Sequence, residues 1–155
     1  MAYTGFFNSD YLPPTAFYFR LKFNGAEDMD TSFQEVSGLK LTISAEPNEE
    51  VGNNLTPYKY NISNPPTYSD LVLKRCLMPN SNLDAWCKNA FENFQFDPKD
   101  IELALLGSDG IPLALWNISK AYPVSWELSA LSSTSNKLAI ETLTLKYLSF
   151  RREPI

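Results

Sequence analysis

The chain has 155 residues, of which 44% are hydrophobic and 14% aromatic, a size and composition suited to one folded domain with its own core. Its formal net charge is −5, its pI is near 4.7, and no basic run exceeds Arg151-Arg152, so it carries no nucleic-acid-binding motif. It contains no histidine, which removes the usual general base, the Ser-His-Asp and Cys-His arrangements, and the commonest metal ligand.

Residues 1–14 (MAYTGFFNSDYLPP) read as an N-terminal extension. They lack a basic start and a long apolar stretch, so no signal peptide is expected. No apolar run approaches the roughly 20 residues of a membrane span, so no membrane segment is expected. Residues 15–23 (TAFYFRLKF) alternate as a half-buried strand, with Phe17, Phe19, Leu21 and Phe23 on one face. Asn24-Gly25 then signals a turn, which the acidic AEDMD stretch extends.

Residues 33–45 predict a second strand, in which Leu39, Leu41 and Ile43 share a face. Phe33 keeps that parity but Val36 does not. A bulge or sharp bend at Ser37-Gly38 would turn Val36 inward, because glycine tolerates the backbone geometry required. Residues 46–67 are rich in Pro, Asn and Gly and predict a protruding loop with a short strand near Tyr58–Ile62. A floppy hairpin tip is the alternative. Residues 68–76 predict a strand, which Pro79-Asn80 ends.

Ser81 with Asp84 resembles a capping box. Leu83, Trp86, Cys87, Ala90, Phe91 and Phe94 follow at helical spacing, predicting one helix packed on a sheet, with an aromatic ligand box as the lesser alternative. Residues 99–106, 111–120 and 122–130 predict three strands, the first two joined by a turn at Ser108-Asp109-Gly110. The last strand, 137–150, changes face: Leu138 and Ile140 point one way, Leu143, Leu145 and Tyr147 the other. Glu141 shares the parity of Leu143, so its carboxylate needs a paired cation or a place at solvent or an interface. The fold class expected is mainly β: an antiparallel β-barrel or sandwich of seven or eight strands with one flanking α-helix, in a single domain over 1–155.

Chemistry is sparse. Cys76 and Cys87 have no Cys-x-x-Cys spacing and read as two reduced thiols, although spacing alone leaves a disulfide open. Asp28 and Asp30 do not make a calcium loop, no glycine-rich phosphate cradle is present, and the carboxylates are scattered. No catalytic, cofactor-binding or metal-binding set is identified, and an enzyme is not expected. Tyr58, Tyr60 and Tyr68, in or beside the long loop, leave open a monomeric β-barrel ligand-binding module, for example for carbohydrate.

Taken in order, FQEVSGL (33–39), LVLKR (71–75), LDAWC (83–87), DIELALL (100–106), PLALWNISKAYPVSW (112–126) and STSNKLAIETLTLKY (133–147) resemble the phage tail-tube protein family, including the inner tubes of contractile injection systems. The resemblance covers about residues 15 to 150. It implies a tail-tube-like domain that forms a homo-hexameric ring, with rings stacking into a hollow tube. It implies as partners further copies of the chain, adjacent tube rings, spike or baseplate proteins and sheath. It makes 46–67 an inter-ring loop, and Val36, Ser37, Gly38, Glu49, Glu50, Val51, Tyr58, Tyr60 and Glu141 candidate ring or stacking residues. Synthesis in the bacterial cytoplasm and assembly into a phage-tail-like particle follow from the same likeness. Cys76 stands where many relatives have glycine, and NEEVGNN replaces their Arg-Glu-Gly-like run. The FQEVSGL and AYPVSW versions and the YLSFRRE end look closer to baseplate-proximal tube-initiator members than to the repeating tube subunit.

Overall fold

The computed structural model describes residues 19–26, 33–43, 65–78 and 81–154 in full, and the backbone alone at 46–47 and 60–61. Alternation builds the first sheet. Strand β1 (Phe19–Phe23) buries Leu21 and Phe23 and sends Arg20 and Lys22 outward. The next extended segment breaks where the sequence suggested. β2 (Glu35–Ser37) ends at Gly38, whose φ of +98° lies in the left-handed region that side chains avoid. Phe33, Val36 and Leu39, spaced three apart, all pack against the core across this bend.

Beyond Gly38 the chain forms a separate two-stranded arm rather than continuing the sheet. β3 (Leu41–Thr42) and β4 (Glu46–Pro47) lead outward, while β5 (Tyr60–Asn61) and β6 (Thr67–Tyr68) return. Leu41 lies opposite Tyr68 and Thr42 opposite Thr67; Glu46 lies opposite Asn61 and Pro47 opposite Tyr60. Leu41 and Ile43 are therefore 49% and 55% exposed instead of covered by a continuing sheet.

β7 (Leu71–Cys76) is followed by helix α1 (Asn82–Glu92). The helix opens on the expected capping box: Ser81 Oγ accepts from the Asp84 backbone N–H (3.3 Å), and Asp84 Oδ2 accepts from the Ser81 N–H (3.4 Å). Leu83, Trp86, Cys87 and Ala90 form its buried stripe. The expected stripe is too long, however. The helix is capped at Asn93, and Phe94 follows in a left-handed conformation (φ +53°), 81% exposed and edge-on to Phe96. Phe91 is exposed too, stacked on Trp126.

β8 (Lys99–Leu106) turns through Ser108–Gly110, with Gly110 at φ +78°, into β9 (Pro112–Leu128). The two strands expected over 111–130 are one 17-residue strand. Its first half pairs with β8, and its second half pairs with β10 (Ile140–Lys146). The transfer happens at an irregularity: Lys120 has φ +55°, and its N–H donates to Asp100 Oδ1 (2.9 Å). A second irregularity sets Thr144 opposite Ser125 but Leu145 opposite Pro123. The stretch read as a single last strand is two strands: β10 and β11 (Ser149–Glu153), which pairs back onto the first half of β9. The expected face change resolves with it, since Leu138 precedes β10 and is exposed, while Leu143 and Leu145 face the core.

The principal sheet has seven strands in the order β1-β8-β9-β10-β7-β2, with β11 also on β9, every pairing antiparallel. Its twisted halves enclose Leu21, Phe23, Leu71, Leu73, Ile101, Ile118 and Leu145, and α1 covers them with Leu83, Trp86 and Cys87. Full burial of each such side chain contributes about 1.5–3 kcal/mol. The class is mainly β, with one flanking helix among the described residues. The sheet does not close into a barrel among the described residues; β1 and β2 end its main path, and β11 is a third strand with a single neighbour.

Candidate assembly surface

Because β1, β2 and β11 each have a hydrogen-bonded neighbour on one side only among the described residues, the sheet presents three strand edges, of which β1 and β2 border one cleft. A cleft of about 350 Å³ is lined by Phe19, Val36, Leu39, Leu103, Leu105 and Trp116, together with Gln34 and Glu35. It is apolar and open, and both terminal strands contribute to it. The arm is the second surface feature. Backbone packing fixes its root: a Cβ on Gly38 would overlap the Asp70 carbonyl oxygen and stand 3.0 Å from that carbonyl carbon. The Ser69 N–H donates to the Lys40 carbonyl (3.0 Å), and Tyr147 Oη donates to the Gly38 carbonyl (3.4 Å). Burial, then the neighbouring Asp70 and Tyr68, raise the Tyr147 hydroxyl above its ordinary pKa.

The candidate residues fall into three groups. Val36 lies opposite Leu73, lines the cleft and packs on the core; Ser37 lies opposite Val72, exposed; Gly38 makes the bend. Glu49, Glu50, Val51 and Tyr58 lie outside the described residues, and Tyr60 is described only as a backbone pairing with Pro47. Glu141 is 5% exposed and takes the paired-cation alternative. Its Oε2 accepts from Arg75 Nε (2.9 Å), and its Oε1 accepts from Trp126 Nε1 (3.2 Å). Arg75, 2% exposed, also donates through Nη2 to Ser81 Oγ (3.0 Å) and Asp84 Oδ1 (3.1 Å), and its guanidinium lies 5.9 Å from the centroid of the Phe33 ring.

This clasp joins β7, β10, β9 and the first turn of α1 through fully satisfied polar groups. Arg75, Asp84 and Trp126 were missed as its members. A signal existed: Arg75 continues the inward parity of Leu71 and Leu73, just as Glu141 precedes Leu143 and Leu145. Two opposite charges on two apolar faces point to each other, and the observed register sets them directly across the ladder. Cys87 sits beside the clasp, its thiol pushed up to about 12 by burial and by Asp84, against the lowering effect of Arg75. Among the described residues no group of acidic, cysteine or histidine side chains could hold a metal ion, and both cysteines are free. No helix of the described residues is long and apolar enough to cross a membrane.

The T4-like virus tail tube protein gp19 family matches residues 15–151. The chain belongs to that family. Among solved structures, a chain of the anti-feeding prophage baseplate superposes with a TM-score of 0.81 at 27% identity, covering 92% of this chain and 97% of that one. A chain from the sheath-tube complex of the PVC extracellular contractile injection system gives 0.72 at 25% identity, covering 95% of each. Hcp1 from Flavobacterium johnsoniae shares the fold at TM-score 0.58 and 14% identity, over 86% of this chain and 93% of that chain. No curated protein sequence matches the chain. As a tail tube protein it shares its fold with these solved chains.

Proposed function

We propose that this tail tube protein is a structural, non-catalytic subunit of the inner tube of a contractile phage-tail-like injection system. Six copies form a ring, and the ring belongs to a hollow tube. The observation that carries this reading is the family match across residues 15–151. The strand edges of β1 and β2 support it, because a ring of identical subunits can satisfy such edges through heterologous contacts that close by rotation. Val36, Ser37 and Gly38 stand at one of these edges. The segment 46–67, with Glu49, Glu50, Val51, Tyr58 and Tyr60, contacts the adjacent ring. Sheath, spike and baseplate proteins are the remaining partners. The chain is made in the bacterial cytoplasm and assembled into a phage-tail-like particle.

Within that role the ring is the baseplate-proximal tube initiator. The greater likeness to the anti-feeding prophage baseplate chain than to the PVC sheath-tube chain supports this placement. The runner-up is the repeating tube subunit, which the PVC likeness favours. Electron microscopy of intact particles separates them: one or two rings of this chain at the baseplate end are expected. Finding it along the whole tube overturns the initiator placement, and its absence from purified particles overturns the tube role.

A further inference from the structure

The arm leaves the sheet at a point where both of its strands break, at Gly38 on the outgoing side and at Ser69-Asp70 on the return. Two hinges at one level would let a two-stranded ribbon swing. Three aromatic rings stand against that freedom. Tyr68, the last residue of β6, lies edge-on to Tyr147 (centroids 5.8 Å apart) and to Phe150 (5.4 Å). Tyr147 and Phe150 are edge-on to each other at 6.1 Å. Tyr68 belongs to the arm, Tyr147 to the connection after β10, and Phe150 to β11. Tyr147 and Phe150 are themselves packed on the hydrophobic core. The triangle thus ties the arm to the body, and Tyr147 also reaches the break itself through the Gly38 carbonyl.

We propose that Tyr68, Tyr147 and Phe150 form a strut that fixes the direction of the arm before any partner is met. They are positioning residues, acting on a contact they do not themselves make. An arm held in its bound direction gives up less freedom on docking than a swinging one, so the strut strengthens the docking of the arm without adding a contact to it. This last consequence rests on the arm meeting a neighbouring copy, as proposed above; the strut itself does not.

Residue-resolved hydrogen exchange on the full-length unassembled chain tests it. In Tyr147→Ala and Tyr68→Ala, exchange of the Ser69 amide and of the β3–β6 ladder is expected to rise about ten-fold or more, from the loss of edge-to-face contacts. Amides of the β7–β10 ladder are expected to keep their rates. Tyr147→Phe keeps the ring and should keep the arm's protection, since the hydroxyl contact is long. Unchanged arm exchange in both alanine variants overturns the strut. So does an equal rise in arm and sheet, and so does failure of both variants to fold, either of which would make the three rings part of the general core. A strut that passes this test while assembled particles show no contact at the arm leaves the strut standing and refutes the inter-ring reading alone.

Discussion

Replacing Glu141 with leucine tests the clasp most directly. The leucine side chain would occupy a site already flanked by Leu143 and inward-facing residues, but Arg75 Nε and Trp126 Nε1 would lose their acceptors at 2.9 and 3.2 Å. Losing one partner of a buried ion pair costs about 3–5 kcal/mol when the remaining charge is stranded. Here Arg75 keeps Asp84 Oδ1 at 3.1 Å and Ser81 Oγ at 3.0 Å, so the stranding is partial. The charge-assisted bond is worth about 1.5–3 kcal/mol and the orphaned indole N–H costs about 1–3 kcal/mol, against which the new leucine recovers about 1–2 kcal/mol of burial. The midpoints of these terms give an expected loss of about 3 kcal/mol, or roughly 6–12 °C in Tm for a domain of this size. Urea unfolding followed by circular dichroism measures it. Arg75→Met in the Glu141→Leu background removes a buried cation that has lost part of its acceptors, at the cost of Asp84's ion-pair partner, and should restore about 1 kcal/mol. A single variant within 1 kcal/mol of the parent, or a double variant less stable than the single, would refute the clasp as described. Sedimentation of whatever remains folded then reports separately on any interface role of Glu141.

Gly38→Ala should destabilise by about 2–3 kcal/mol in the same assay, since a left-handed φ and overlap with the Asp70 carbonyl act together; a neutral result would mean the bend relaxes freely. Ser81→Ala removes the helix cap and an Arg75 acceptor together and should cost about 1–2 kcal/mol, while Ser81→Asp should cost less. With a thiol-reactive dye at pH 8, native protein should react at Cys76 and not at Cys87, whose thiol is buried and pushed up to about 12; two rapid equivalents without denaturant would contradict that burial.

Local features were legible because their causes are local. The capping box of Ser81 and Asp84, the alternation through Leu21 and Phe23, the turn at Gly110 and the bend at Gly38 each follow from a few adjacent residues. Features set by pairing were not. The sequence divides 111–120 from 122–130, yet β9 runs through both, and Pro123 is buried within it, where the strand has changed partners and a missing donor is tolerated. Leu41 and Ile43 read as the continuation of a core face, and only the tertiary structure shows the ribbon leaving the sheet. The helical period ran on to Phe94 because the signal for the stop, a left-handed residue after Asn93, is normally written as glycine. Arg75 and Glu141, 66 positions apart, needed the register to join them. The charges were visible, and so was their unsuitable parity.

Strand β9 has a mechanical meaning. One backbone serves both halves of the sheet, so neither half can slide past the other without rearranging the chain at Lys120, where β9 changes partners. Ladders alone would yield to shear one bond at a time; a continuous beam passes torque from end to end. A wall made of such pieces would resist twisting at every piece, and not only at the joints between them.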